Sequence, residues 1–321
     1  MPITYSLVAA GLRKQYKQVH ALNGFDLRVA AGSIHGLLGP NGAGKSTAVK
    51  ALATLISFDA GEAHIGGHNV ATHGHLVRRE IGLVGQSPAL DEILGGRQNL
   101  VLFARLYGMP KKAAIVRSNQ LLEQFSLTEA ATRPVSTYSG GMRRRLDIAA
   151  SLILRPAVLF LDEPTTGLDP KGRNEVWTTI RQVSAAGTTV LLTTQYLDEA
   201  DKLADRISVM NHGTVIAEGT PDELKRETAG DLLDVKVADP KRLADAAAIL
   251  ERITGSAPLV DADSGSASAA AEGATTLVDA VRAFDAAGID LDDLSLRRPT
   301  LDEVFLSLTD ANPTEETGVT E

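Results

Sequence analysis

One stretch of the chain fits the phosphate-binding pattern G-x-x-x-x-G-K-[ST] at every fixed position: Gly39-Pro40-Asn41-Gly42-Ala43-Gly44-Lys45-Ser46-Thr47. A mostly apolar run at 34–38 precedes it and a helical pattern follows, so the strand–loop–helix order that this motif requires is present. Glycines let backbone N–H groups wrap a phosphate chain, and the helix N-terminus adds partial positive charge. We therefore predict that the loop binds a nucleoside triphosphate, with Lys45 on its β- and γ-phosphates and the Ser46 hydroxyl on Mg²⁺.

Length and composition narrow the class of protein. A chain of 321 residues suggests two domains, or one large domain with an appendage. The formal net charge of −8 argues against general nucleic-acid binding through a basic surface. Cysteine is absent, which excludes disulfides and cysteine-ligated metals. The first residues lack the pattern of a signal peptide, and no run approaches the roughly 20 apolar residues of a membrane span. A membrane role is therefore expected only from the cytosolic side, through a partner.

An acidic pair follows a second apolar run. Residues 157–161 are all apolar, which is typical of a strand buried on both faces, and they end in Asp162-Glu163-Pro164. Ligands of open α/β sheets bind at the carboxyl ends of parallel strands. We predict that Asp162 holds Mg²⁺ and that Glu163 polarises the attacking water.

Four further features surround these two motifs. Two β segments, 6–10 and 25–29, are joined by a connection that contains Tyr16, whose ring could stack on a purine. Short β segments follow at 63–65 and 81–84, and the second ends before Gly85-Gln86-Ser87-Pro88. Helical patterns then run from Leu90 to about Ala131. Ser139-Gly140-Gly141 opens another helix, either as an ordinary serine N-cap or as a place of close approach for an anion.

Taken together, these motifs resemble the nucleotide-binding subunit of an ATP-binding cassette (ABC) transporter over about residues 4–226. The resemblance implies an α/β P-loop NTPase fold with a RecA-like core, an antiparallel β subdomain and a helical subdomain at about 90–150. It implies ATP and Mg²⁺ as cofactors. The nucleotide-binding residues so implied are Tyr16, Gly39, Pro40, Asn41, Gly42, Ala43, Gly44, Lys45, Ser46, Thr47, Gln86, Ser139, Gly140, Gly141 and Asp169. The implied metal-binding residues are Ser46, Gln86 and Asp162, and the implied catalytic residues are Lys45, Glu163 and Gln195.

Gln195 departs from the family pattern, which usually has a histidine at this position. An amide donates hydrogen bonds but carries neither a proton nor a charge. We expect hydrolysis to survive with Glu163 as the base, and how far the rate falls is left open. Tyr138 and Met142 also replace the usual leucine and glutamine, but they only flank the residues that contact phosphate.

Three stretches, 138–147, 193–201 and 298–306, are similar to one subfamily, the actinobacterial daunorubicin/doxorubicin-resistance ATPases, which carry the same glutamine. This resemblance implies an ATP-hydrolysing subunit that drives export of a drug or other hydrophobic compound, anthracycline-like, through a separate integral-membrane permease. It also implies a head-to-tail homodimer, with ATP between the P-loop of one copy and residues 139–141 of the other. The expected location is the cytoplasmic face of a bacterial membrane, as a peripheral subunit without a nucleic-acid partner.

Two other functions stay open at this point. A soluble ABC protein acting on ribosomes or DNA would share the motifs, although the single cassette, the acidic charge and the absence of a long coiled coil or basic linker oppose it. A non-hydrolysing, ATP-dependent binding module is conceivable because of Gln195. A steady-state phosphate-release assay distinguishes that module from the exporter.

The remainder of the chain predicts a second, accessory α+β domain at residues 227–309. Its pattern is compatible with a small βαββαβ unit, although 263–273 reads equally well as a flexible loop. Thr300-Leu301-Asp302-Glu303 predicts a capping box that opens a last helix, 301–308. Residues 310–321 are expected to be disordered. The unit could serve packing alone, regulation or permease contact, and no residue in it indicates a drug pocket.

Overall fold

The computed structural model describes residues 4–228, 231–271 and 273–310. These residues form two compact units that divide between Thr220 and Pro221. The helix Pro221–Thr228 therefore belongs to the second unit, whereas the predicted first domain extends to residue 226. Apart from Asp310, the tail that was predicted to be disordered lies outside the described residues.

The first unit contains ten strands and seven α-helices among its described residues. In chain order they are β1 (Tyr5–Tyr16), β2 (Val19–Ala30), β3 (Ile34–Leu38), α1 (Lys45–Leu52), β4 (Ala60–Ile65), β5 (His68–Asn69), α2 (Gly74–Glu80), β6 (Ile81–Val84), α3 (Gly96–Leu106), α4 (Lys111–Gln124), α5 (Gly140–Ser151), β7 (Val158–Asp162), α6 (Pro170–Ala185), β8 (Thr189–Thr194), α7 (Leu197–Leu203), β9 (Arg206–Asn211) and β10 (Thr214–Gly219). The predicted P-loop NTPase class is confirmed, with an antiparallel sheet, a mostly parallel sheet and a helical region.

The antiparallel sheet has the strand order β2-β1-β4-β5. Strands β1 and β2 form one long hairpin whose last pair is Tyr16 and Val19. The expectation of two short segments with Tyr16 in the connection is therefore wrong, because Tyr16 ends a strand of 12 residues. Hydrogen bonds across a hairpin do not require apolar side chains, so the strand continues through Lys14 and Gln15, beyond the point where the apolar alternation stops.

The mostly parallel sheet has the strand order β10-β9-β3-β8-β7-β6, with β10 as an antiparallel edge. Strands β3, β7 and β8 are buried along their whole length, which explains the mostly apolar sequences of β3 and β7 and the apolar centre of β8. Since β8 pairs in parallel with both β3 and β7, the carboxyl ends of all three strands meet at one edge. The phosphate loop, the acidic pair and Gln195 all follow these three ends.

Two hydrophobic clusters cover the two faces of the parallel sheet. Alternate residues of β7 face opposite sides, as the pleat of a strand requires. Leu159 and Leu161 join a cluster with Leu100, Leu146 and Trp177 of the helices. A second cluster contains Phe160 and packs α1 and the antiparallel sheet against the other face; its other large members include Leu37, Leu191, Val49, Leu52 and Phe25.

The second unit is a small α/β sandwich with two further helices. Its elements are α8 (Pro221–Thr228), β11 (Asp231–Val237), α9 (Leu243–Thr254), β12 (Leu259–Asp261), β13 (Ser266–Ala271), α10 (Ala274–Ala287), β14 (Leu291–Arg297) and α11 (Leu301–Asp310). From β11 to β14 the order is βαββαβ, as predicted, and the sheet is antiparallel with the order β12-β13-β11-β14. The stretch 263–273, which the sequence left open, contains β13, whose alanines 267, 269 and 271 face the core.

The capping box at the last helix is confirmed. The Thr300 N–H donates to Glu303 Oε2 at 2.8 Å, and the Glu303 N–H donates to Thr300 Oγ1 at 3.3 Å. Glu303 also pairs with Arg297, whose guanidinium bonds to Asp234 on the neighbouring strand. The start of α11 is thereby fixed to the end of the sheet.

Within the described part of the chain, no helix combines the length and the apolar character needed to cross a lipid bilayer.

Candidate functional site

The phosphate loop runs from the end of β3 to Lys45, the first residue of α1. The Lys45 ammonium folds back over this loop and donates to the carbonyl oxygens of Gly39 at 2.7 Å and Pro40 at 2.9 Å. Burial lowers the pKa of Lys45, and the nearby charges of Glu163 and Asp162 act in the opposite direction. The lysine is thus a desolvated cation held at the centre of the loop, as binding of an anion requires.

Two glycines of the loop are dictated by close backbone approach. A Cβ on Gly39 would lie 2.4 Å from the carbonyl oxygen of Met210 in β9. Gly44 has a φ of +106°, and a Cβ there would lie 2.3 Å from the carbonyl oxygen of Ala21 in β2. A hydrogen bond from the Gly213 N–H to the Ala43 carbonyl at 2.9 Å fixes the loop further. The loop is therefore a rigid cradle, supported by β2 and by the β9–β10 turn.

The predicted metal-binding residues Ser46 and Asp162 lie together. Ser46 Oγ lies 3.3 Å from Asp162 Oδ1, although the two residues are 116 positions apart in the chain. The same carboxylate oxygen accepts the hydroxyl of Thr193 at 2.6 Å. Thr193 was not among the predicted site residues. Its polar side chain on the fully buried strand β8 was the signal that could have identified it.

Glu163 follows β7 in an unusual backbone conformation. Its φ is +48°, in the left-handed region that residues other than glycine rarely adopt. Its N–H donates to both the carbonyl oxygen and the hydroxyl oxygen of Thr193, each at 3.1 Å. Thr166 Oγ1 donates to the Glu163 carboxylate at 3.3 Å. The conformation of the predicted base is thus imposed by neighbouring backbone and hydroxyl groups, which is common at functional sites.

These residues fit Mg²⁺ bound together with a nucleotide. A hydroxyl and a carboxylate are the hard oxygen ligands that Mg²⁺ prefers, and phosphates and waters usually complete its octahedron. No group of three or more acidic or histidine side chains forms a metal cage within the described ranges. The donor set is therefore that of a metal shared with phosphate rather than one held by the protein alone.

Ser139, Gly140 and Gly141 open helix α5. Ser139 accepts the Met142 N–H at 3.2 Å and is an N-cap, as the ordinary interpretation expected. A Cβ on Gly140 would lie 2.8 Å from Leu168 Cδ2, and one on Gly141 would lie 3.1 Å from Gly172 Cα. Gly141 is therefore tightly packed against the backbone of α6, whereas the flexible end of Leu168 could shift to admit a side chain at Gly140. No hydrogen bond links these three residues to the phosphate loop anywhere in the described chain.

The other predicted residues lie around the same edge of the sheet. Gln86 is exposed on the rim of a cavity of about 230 Å³ that Gly140 and Thr166 also line. Asp169 is the N-cap of α6 and accepts the Gly172 N–H at 3.0 Å. Gln195 follows β8 and is half-buried.

Tyr16 lies at the tip of the β1–β2 hairpin. Its ring is 47% exposed, with Lys14 Nζ 5.5 Å from the ring centroid. Lys14 is fixed in turn by an ion pair with Asp59 at 2.9 Å. The exposed ring is free to contact a planar ligand on one face.

The comparison with known proteins agrees with this geometry. A family model described as ABC transporter matches residues 22–166, from β2 to just beyond the acidic pair. The chain is 55% identical over 305 residues to the Daunorubicin resistance ATP-binding protein DrrA3 of Streptomyces coeruleorubidus, covering 95% of this chain and 96% of that protein. The chain belongs to the ABC transporter ATP-binding proteins.

Other ABC ATP-binding proteins are similar over comparable lengths. The Doxorubicin resistance ATP-binding protein DrrA of Mycobacterium tuberculosis is 48% identical over 318 residues, covering 97% of this chain and 95% of that protein. A solved ATP-binding subunit of an ABC transporter is 29% identical, with a TM-score of 0.61 over 70% of this chain and 93% of its own. A dimeric ATP-binding cassette bound to ADP and Pi is 25% identical, with a TM-score of 0.60 over 67% of this chain and 98% of its own. The chain is thus an ATP-binding subunit of an ABC transporter.

Proposed function

We propose that this subunit hydrolyses ATP to drive export of a drug or other hydrophobic compound through a separate membrane permease. The observation that carries the proposal is the contact of Ser46 with Asp162, with Thr193 joining Asp162 to the backbone of Glu163. The phosphate cradle, the metal-ligand set and a carboxylate base are thereby adjacent at one edge of the sheet.

Each residue of this edge has a defined part in the proposal. Lys45 leaves the loop carbonyls to neutralise the β- and γ-phosphates, and the loop from Gly39 to Thr47 supplies the surrounding N–H donors. Ser46 and Asp162 would hold Mg²⁺, which would supply positive charge to offset the charge that develops on the leaving group. Glu163 accepts the proton of the attacking water. Gln195 donates a hydrogen bond to the γ-phosphate, where a histidine would also carry a proton.

The nucleotide is proposed to lie between two copies of the chain. Ser139, Gly140 and Gly141 of the second copy cover the phosphates that the first copy binds, and Asp169 lies beside that interface. A two-fold pair makes two equivalent sites from one kind of chain. The solved dimeric cassette bound to ADP and Pi supports this arrangement for a protein of similar fold. Tyr16 would stack on the adenine, and Gln86 would be a further ligand of the metal.

The permease is proposed to dock beside Gln86, on the helical region at about 90–150. Leu102, Leu106 and Tyr107 of α3 and its C-cap are 42, 72 and 52% exposed, and Ile93 just before the helix is 86% exposed. Exposed apolar side chains in this number mark a protein-contact surface. The subunit would then act as a peripheral protein at the cytoplasmic face of the membrane. Relatives from Streptomyces and Mycobacterium favour an actinobacterial source.

The substrate class is inferred from the relatives, whose names describe resistance to daunorubicin and doxorubicin. We propose an anthracycline-like compound, and hence a role in antibiotic resistance. In this proposal the first unit, which ends at Thr220, is the ATPase, and the second unit, which begins at Pro221, is an accessory domain.

The test is recovery of the tagged chain from native membranes, with and without ATP. A stoichiometric multi-spanning protein should be recovered with it, and a Lys45→Ala variant should remove any effect of ATP on that recovery. Recovery of soluble partners alone, or of none, would instead favour a soluble ABC protein. Steady-state phosphate release with Mg²⁺ and with EDTA distinguishes hydrolysis from a non-hydrolysing module.

A further inference from the structure

Arg144 is a buried arginine that the family motifs above leave without a role. It lies in the second turn of α5 and is 5% exposed. Its guanidinium donates to three backbone carbonyls that belong to two different segments: Gly85 at 2.6 Å, Gln86 at 3.3 Å and Glu163 at 3.4 Å. One planar side chain therefore connects the Gln86 loop to the backbone of the proposed base.

Asp147 completes the arrangement from one turn further along the same helix. It is 6% exposed, and its Oδ2 lies 3.8 Å from Arg144 Nη1. Its Oδ1 accepts the Ala89 N–H at 3.4 Å. The two side chains together therefore hold both ends of the segment from Gly85 to Ala89. Burial raises the pKa of Asp147 to about 6, and the charge of Arg144 opposes that rise.

Burying these two charged side chains costs desolvation free energy. Their presence therefore indicates a role other than stabilising the fold. Two ions are removed from water, and a buried pair of this kind is often no more stabilising than apolar side chains of similar volume. Its geometry is directed at loop carbonyls rather than at the helix core. Guanidinium also offers five donors in a rigid, planar fork, whereas an ammonium offers three donors on a flexible stem.

We propose that Arg144 and Asp147 are positioning residues that couple the 85–89 segment to Glu163, so that a displacement of Gln86 changes the placement of the catalytic carboxylate. The inference rests on the proposed role of Glu163 in hydrolysis. Gln86 lies on the exposed rim where the permease is proposed to dock. The Arg144 guanidinium is the physical connection between that rim and the base.

The first test compares Arg144→Lys with Arg145→Lys. Arg145 is the matched control, because it lies on the same helix and donates to the Phe125 carbonyl and to Glu175, but to neither segment. Arg144→Lys should lower kcat for ATP hydrolysis about tenfold, because a small misplacement of a catalytic group strongly reduces the rate of the chemical step. The KM for ATP should change less than about twofold, and Arg145→Lys should leave both constants unchanged.

A second variant tests the proposal in case Arg144→Lys does not fold. The double variant Arg144→Gln with Asp147→Asn removes both buried charges together, so that neither ion is left unpaired. Its thermal midpoint should stay close to that of the wild type while kcat falls as in Arg144→Lys. A wild-type kcat in either folded variant would overturn the coupling.

Hydrogen–deuterium exchange separates this inference from the proposed function. Arg144→Lys should speed amide exchange in both 85–89 and 163–166, whereas Arg145→Lys should change neither. If the wild type releases no phosphate, the proposed hydrolysis is wrong. Amide exchange alone then tests whether Arg144 couples the 85–89 segment to Glu163. Unchanged exchange at 163–166 in Arg144→Lys would then overturn it, and faster exchange there would uphold it.

Discussion

The indole N–H of Trp177 donates to the buried carboxylate of Glu199, with 3.1 Å between Nε1 and Oε1. The same oxygen accepts the hydroxyl of Thr165 at 2.8 Å. Thr165 comes two residues after Glu163, and Glu199 comes four residues after Gln195. One carboxylate therefore fixes the segments that follow both the proposed base and the glutamine, although the resemblance assigns no role to Glu199.

We expect Glu199→Ala to destabilise the first unit by about 2–4 kcal/mol, because it leaves two buried donors without an acceptor. Glu199→Gln retains an acceptor oxygen and should cost about 1 kcal/mol. Urea unfolding followed by the fluorescence of Trp177, the one tryptophan, measures both. Asp198→Ala is the matched control, because that residue is exposed and forms an ion pair with Lys202 at 3.0 Å. A cost for Glu199→Ala as small as that of the control would contradict the assigned role.

Glu163→Gln should abolish turnover while ATP binding persists. The substitution keeps the size and hydrogen bonding of the side chain but removes its basicity, and loss of a general base usually costs about a hundredfold or more in kcat. Phosphate release and equilibrium binding of ATP measure the two properties separately. Glu175→Gln is a suitable control, because Glu175 is a carboxylate that pairs with Arg145 at 3.1 Å. Normal hydrolysis by Glu163→Gln would remove Glu163 from its proposed role.

Ser139→Arg should leave ATP binding intact but prevent ATP-dependent dimerisation, because a long charged side chain would occupy the space proposed for the phosphates of the second copy. Light scattering in the Glu163→Gln background, with and without ATP, measures the dimer. Since Ser139 is also an N-cap, its loss costs about 1 kcal/mol of helix stability. Ser139→Ala removes the cap without the bulk and should still dimerise. A normal dimer of Ser139→Arg would count against the two-copy site.

Acid should destabilise the fold through His35. This residue is 1% exposed and its Nε2 lies 2.8 Å from Ser208 Oγ. Burial, together with the charge of Arg206, lowers the pKa of His35 from 6.5 to about 4. The unfolded chain therefore binds the proton first as the pH falls. The free energy of unfolding should drop between pH 6.5 and about 4, by about 3 kcal/mol in total from this group.

The measurement is chemical unfolding at several pH values for the wild type and for His35→Gln. The amide does not titrate but retains a hydrogen bond to Ser208. The wild-type curve should be the steeper one in this range, and parallel curves would exclude His35 as the source. Carboxylates titrate equally in both proteins, so the difference isolates the histidine.

The parts of the fold that the sequence predicted are those with local causes. A phosphate loop is nine consecutive residues with fixed glycines, and the strand before the acidic pair follows an apolar run, so both can be identified without knowledge of the fold. The acidic pair follows from the same reasoning, since it comes directly after such a run. The βαββαβ order was also predicted. Strand β13 was left open because its alanines and serines are small and give little hydrophobic alternation.

The features that the sequence missed depend on which strands and helices become neighbours. Thr193 joins Asp162 only because β7 and β8 pair in that register. In the sequence, Arg144 is one of three consecutive arginines on a helix and nothing local distinguishes it. Its carbonyl partners lie 19 to 59 positions away in the chain. Tyr16 was misplaced because polar residues continue its strand beyond the apolar pattern. The nucleotide and metal roles of the site residues remain predictions that the experiments above test.

The topology of the second unit has a consequence for how the protein is made. Strand β14, the last of its sheet, pairs along β11, the first, from Leu232 with Arg297 to Val237 with Leu291. During synthesis β11 therefore leaves the ribosome long before its partner exists, while the whole first unit is already available to fold. A chain translated from an mRNA truncated before the β14 codons would have unpaired backbone N–H and C=O groups along one side of β11. Such an exposed strand edge is a template for aggregation. Only a chain that extends through β14 forms a second unit with that side of β11 paired.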